Sequence, residues 1–148
     1  MEPLLERLAR GEVVVGDGAW GTQLMERGLE PGDCPEAFNL ERPEVLTEIA
    51  SLYLEAGAEI LTSNTFGASP LKLSSYSLEH ATETINQRGV HVLREAARGR
   101  AYVGASVGPT GAIVPRKGLP RGHQDRARDS GSPTAIRIGT SRRDASTA

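Results

Sequence analysis

Apolar residues follow two rhythms over residues 1–111: short aliphatic runs that end in glycine and polar side chains, and longer stretches spaced three and four apart. Residues 2–10 place Leu4, Leu5 and Leu8 on one helical face, and Gly11 closes that segment as a C-terminal glycine does. Val13, Val14 and Val15 then predict a strand buried on both faces, followed at once by Gly16, Asp17 and Gly18. The spacing of Val45, Leu46, Ile49, Leu52, Tyr53 and Ala56 predicts a helix over 43–56, with Pro43 in its first turn and Gly57 just past its end.

The pattern then repeats. Residues 58–62 read as a second strand leading into a polar loop with Asn64, Thr65 and Gly67. Residues 78–98 read as a helix with Leu78, Ala81, Ile85, Val92, Leu93 and Ala96 inward, although Gly89 inside it costs about 1 kcal/mol relative to Ala. A third strand over 101–106 enters the sequence VGPTG.

Three strands separated by helices describe right-handed βα units on a parallel sheet, so the fold class is α/β. In such folds the loops at the carboxyl ends of the strands form the chemically active rim, which would gather Asp17, Asn64, Thr65, Ser106 and Thr110. Three units make an incomplete (β/α)8 barrel, since the closed form takes about 250 residues.

Charge changes this picture at one place. Residues 1–111 carry 9 basic against 16 acidic side chains, a net of −7, and residues 112–148 carry 8 against 3, a net of +5. The second region has no aromatic residue and many Arg, Ser, Gly and Pro, a composition expected to leave it a disordered basic tail. Clustered Arg attracts phosphates, but the body is acidic and no aromatics interleave, so nucleic acid is not the expected partner. No run approaches the roughly 18 apolar residues of a membrane span, and MEPLLERLAR lacks the apolar centre of a signal peptide. The single cysteine makes no internal disulfide, in keeping with a cytoplasmic setting.

Candidate chemistry concentrates in GDGAWG. Gly16, Gly18 and Gly21 spell G-x-G-x-x-G, but no acidic residue stands at a strand end about 20 positions later, which leaves the dinucleotide reading weak. Asp17 either caps its own turn or receives a ligand ammonium group, with the backbone of Gly18 and Ala19 beside it to meet a carboxylate. His80 and His91 lie eleven residues apart on one expected helix and His123 lies in the tail, so they make no metal site. Trp20, Phe38, Tyr53 and Phe66 read as packing residues. Cys34, in GDCPEAFNL, is open to three readings: nucleophile, metal ligand, or ordinary small side chain.

Taken together, GDGAWGTQL, CPEAFNLERPEVL, YLEAGAEILTSNTFGAS, INQRGV and YVGASVGPTG resemble, in order and spacing, the N-terminal part of homocysteine S-methyltransferases, over residues 4–111. The resemblance implies a (β/α)8 barrel that binds homocysteine and moves a methyl group onto its sulfur, with zinc holding the thiolate. It assigns Asp17 to the substrate ammonium, Gly18 and Ala19 to its side, and Asn64 and Thr65 to the pocket lining. The family's zinc ligands are three cysteines from later in the barrel, none of which has a counterpart here, and Cys34 belongs instead to a CPE loop. Methylcobalamin fed by a folate, betaine and S-methylmethionine all serve as donors in related barrels. The break at residue 112 suggests a shifted reading frame, and the expectation is a half-barrel with exposed apolar edges and no methyl transfer of its own. The competing expectation is a noncatalytic small-molecule or anion-binding α/β module.

Overall fold

The computed structural model describes residues 1–110 and the backbone of a strand at 135–137. The rest of the basic tail, His123 and the suggested frame boundary lie outside the described residues.

Two helices carry the largest share of the core. Helix α4, Pro43–Glu55, begins with a proline whose missing N–H is no loss in the first turn, and Gly57 follows it at φ +96°. It buries Val45, Leu46, Ile49 and Ala50, while Leu52, expected inward, stays 45% exposed. Helix α6, Thr82–Ala97, buries Ile85, Gly89, Val92, Leu93, Ala96 and Ala97. The four-residue helix α5, Pro70–Leu73, and a short 3-10 turn over Glu79–Ala81 precede it. Helix α2, Trp20–Met25, and the four-residue α3, Phe38–Glu41, add Leu24 and Phe38 to the same cluster as Val45, Leu46, Ile49 and Val92.

The sheet lies under these helices. Strand β1, Ile60–Thr62, pairs in parallel with β2, Tyr102–Val107, in the register Ile60 with Tyr102, Leu61 with Val103 and Thr62 with Gly104. Leu61 is fully buried against Ala50, Leu93, Ala96 and Ala101, so β1 turns its apolar side chain to the helices and, by alternation, Ile60 and Thr62 to the opposite face. On the far edge of β2 stands β3, Ala135–Arg137, running antiparallel. That strand falls within the stretch whose composition suggested only disorder.

Two expectations need correction. Val13–Val15 do not form a strand buried on both faces. The segment touches the sheet through one parallel bridge, Gly16 to Ile60, with Glu59 and Ile60 donating to the carbonyl of Val15 at 2.8 and 3.1 Å. Val13 is 87% and Val15 53% exposed. A doubly buried strand needs a neighbour on each edge and a layer on each face, and the described residues supply a neighbour at one edge only.

Helix α1, Leu4–Ala9, likewise buries Leu4 alone, leaving Leu5 and Leu8 outward. Polar contacts hold it instead: Arg7 pairs with Glu59 at 2.7 Å and with Glu12 at 2.8 Å, at the amino-terminal end of β1.

Candidate substrate-binding site

Asp17 leaves the sheet directly after the Gly16 bridge, its N–H donating to the carbonyl of Ile60 at 2.9 Å. Its carboxylate therefore lies at the carboxyl end of β1, where Thr62 donates twice: the backbone N–H to Oδ2 at 2.7 Å and the hydroxyl to Oδ1 at 2.9 Å. The indole Nε1 of Trp20 donates to Oδ2 at 2.8 Å. Charge-assisted bonds of this kind are about twice as strong as neutral ones.

The turn that follows is shaped by Tyr53 of α4. Its hydroxyl donates to the carbonyl of Ala19 at 2.9 Å, and its ring lies 3.0 Å from where a Cβ on Gly18 would sit. Any side chain at position 18 would displace that ring. Trp20 packs against the same tyrosine at a centroid distance of 6.3 Å and a tilt of 52°. Burial first, and then the negative charge of Asp17, push the Tyr53 hydroxyl up from its ordinary value, so it remains a protonated donor. Gly18 and Ala19 lie between the bridge and α2, outside both ladders.

The loop after β1 is fixed from below. Asn64 Nδ2 donates to the carbonyl of Pro35 at 2.7 Å and to Asn39 Oδ1 at 3.0 Å. Thr65 Oγ1 donates to the carbonyl of Ser106 at 2.8 Å and lies 2.6 Å from the Ser63 hydroxyl. Both residues are buried. The structure thus sets Asp17, Gly18 and Ala19 at the sheet end beside Thr62, while the side chains of Asn64 and Thr65 turn into the loop's own frame.

Sequence reasoning missed four residues here. In the sequence Thr62 is only the last residue of an expected strand, although period-two alternation from the apolar Leu61 puts it on the other face. Trp20 packs as expected, against Tyr53 and the core, and the sequence did not show its further bond to Asp17, three positions earlier. Asn39 and the buried Glu36 carried no signal in the sequence. Glu36 Oε1 accepts from the Gly67 N–H at 2.7 Å, and its Oε2 lies 3.6 Å from the thiol of Cys34.

Cys34 itself packs with Ala68, Leu73 and Ile85, and burial pushes its thiol up, with the nearby Glu36 charge adding to the shift. That environment opposes the thiolate a metal or an electrophile requires. Among the described residues no group of three or more His, Cys, Asp or Glu is placed to hold a metal ion. His91 instead faces Glu95 at 3.4 Å on α6, and His80 is exposed. No helix of the described residues is long and apolar enough to cross a membrane.

Comparison with known proteins bears on this geometry. The sequence model of the homocysteine S-methyltransferase family matches residues 14–135. The chain is 40% identical over 129 residues to methionine synthase of Mycobacterium leprae (strain TN), which covers 78% of this chain and 10% of that protein. It is 34% identical over 113 residues to betaine–homocysteine S-methyltransferase 1 of Xenopus tropicalis, covering 72% of this chain and 28% of that protein. The chain therefore spans about a tenth of the one relative and just over a quarter of the other. Among solved structures it is similar to the metallated form of the homocysteine methyltransferase MmuM from Escherichia coli. That likeness has a TM-score of 0.65 at 26% identity, over 74% of this chain and 42% of that one.

Proposed function

The chain belongs to the homocysteine S-methyltransferase family, and we propose on that premise that residues 1–111 form the homocysteine-recognising end of a methyl-transfer (β/α)8 barrel. In the reaction a methyl group passes from a donor to the homocysteine sulfur. The S–CH3 bond forms as the donor's bond to that carbon breaks, and the thiol proton is lost to give methionine.

The observation that carries this reading is the Asp17 carboxylate, held at the carboxyl end of the parallel sheet by Thr62 and Trp20. Its negative charge suits the ammonium group of an amino acid, and the backbone of Gly18 and Ala19 beside it suits the carboxylate. Asn64 and Thr65 contribute through the loop they stiffen rather than through free side-chain donors, since both are engaged within the protein. The methyl donor, whether methylcobalamin, betaine or another, is met by parts of such a barrel beyond the described residues.

Zinc supplies a stabilised thiolate in the chemistry that the resemblance implies. The residues here do not fit it, because the chain has one cysteine, buried away from Asp17 in an apolar cluster. We therefore assign these residues to binding and orienting the amino acid, and derive no step through the metal.

Calorimetry with homocysteine, phosphate and a nucleotide, each with and without zinc, tests the proposal. Saturable homocysteine binding that weakens about 10- to 100-fold in Asp17→Asn supports it, matching the loss of one charged hydrogen bond. Binding of phosphate or nucleotide in place of homocysteine overturns it and favours a noncatalytic anion-binding module.

A further inference from the structure

We propose that Thr62, assisted by Trp20, is the positioning residue that makes this site selective for an ammonium-bearing ligand; the inference rests on the assignment of Asp17 to amino-acid recognition. A carboxylate offers about four acceptor positions, two on each oxygen. Oδ2 is filled by the Trp20 indole at 2.8 Å and the Thr62 backbone N–H at 2.7 Å. Oδ1 takes the Thr62 hydroxyl at 2.9 Å, with the same hydroxyl 3.1 Å from Oδ2. Among the described residues, one acceptor position on Oδ1 is left for a ligand.

Three donors from two elements, β1 and the first turn of α2, fix the plane of the carboxylate and hence the direction of that position. Thr62 suits the task. Its branched Cβ restricts χ1, and the burial of Leu61 on the helix side keeps residue 62 on the face that Asp17 occupies. All three donors are neutral, so none of them pairs the carboxylate with a positive charge, and Asp17 is half-buried beside them. An anionic or acceptor-only ligand group is repelled at such a position and a neutral donor gains a hydrogen bond alone; an ammonium donor adds ion-pair attraction to that directed bond.

A purely structural Thr62 would affect all ligands alike, which provides the test. Dissociation constants for homocysteine and for 4-mercaptobutyrate, which keeps the thiol and carboxylate but lacks the ammonium, are measured by calorimetry on the full chain. Thr62→Val, Thr62→Ser and Trp20→Phe are compared with the parent, and circular dichroism confirms each fold.

The expected result is a parent preference for homocysteine that falls about tenfold in Thr62→Val through homocysteine alone. Thr62→Ser restores it, and Trp20→Phe lowers it in the same direction. Trp20→Phe alone decides the matter should Thr62→Val fold poorly. An unchanged preference in the variants, or equal weakening of both ligands, overturns the positioning role while leaving amino-acid recognition intact. Equal binding of the two ligands by the parent overturns both.

Discussion

The side chain of Asn39 donates to the main-chain carbonyl of Asn64 at 2.8 Å, and the side chain of Asn64 donates back to Asn39 Oδ1 at 3.0 Å. Asn39 is fully buried and also donates to the carbonyl of Ile85 at 3.1 Å. One amide thus ties α3 and α6 to the loop that follows β1.

Asn39→Ala is expected to destabilise the chain by about 2–4 kcal/mol, because two buried carbonyls lose their donor and Asn64 loses an acceptor. Asn39→Asp should cost at least as much, since it turns an acceptor toward two carbonyl oxygens. Urea denaturation measures both, and a midpoint unchanged from the parent would contradict the role.

Gly89→Ala should destabilise the chain although alanine is the better helix former by about 1 kcal/mol. A Cβ there would lie 2.6 Å from Asn39 Nδ2 and 3.0 Å from Thr65 Cγ2. The cost should shrink when Gly89→Ala is combined with Asn39→Ala, where the amide is gone. Additive urea midpoints in the double variant would show that the clash is not the cause.

Stability should fall as pH drops below about 4.5 in a manner that depends on Arg7. Hydrogen bonds from Arg7 hold the carboxyls of Glu12 and Glu59 below their ordinary value of 4.5. Their contribution is thus present above that value and is lost as pH falls through the depressed folded values. Urea midpoints at pH 7 and pH 3.5 should differ less in Arg7→Met than in the parent, and 0.5 M salt should shrink the difference, since both carboxylates are partly exposed. Equal pH dependence in the two proteins would refute this.

Cys34 should resist thiol reagents in the folded chain. Burial raises its thiol and limits access, so labelling by a disulfide reagent at pH 8 is expected to be much slower than for a free thiol and to become rapid in urea. Rapid labelling of the folded protein would place the thiol in a different setting.

Elements whose signal is local were legible in the chain alone. The helix expected over 43–56 is α4, Pro43–Glu55, and the one expected over 78–98 contains α6, Thr82–Ala97. The strands expected over 58–62 and 101–106 contain β1 and most of β2, Tyr102–Val107, and their pairing is parallel as the βα order required. Periodicity and terminal Pro or Gly suffice for these, because each depends on residues a few positions away. Asp17 stood out for a similar reason, as a polar residue directly after an aliphatic run, and it lies beside the end of β1.

What distant residues do to one another emerges with the fold. Val13–Val15 look like a core strand, but Val13 and Val15 remain exposed, since burial belongs to the layer that covers a strand rather than to the strand. Gly89 reads as a flaw in a helix until Asn39, fifty residues earlier in the chain, is found against its bare Cα. Thr62 lies 45 residues from Asp17, and no composition or period links them. A hydrogen bond is satisfied over about 3 Å whatever the chain separation, so the partners that fix the carboxylate become visible once the sheet has brought the two strand ends together.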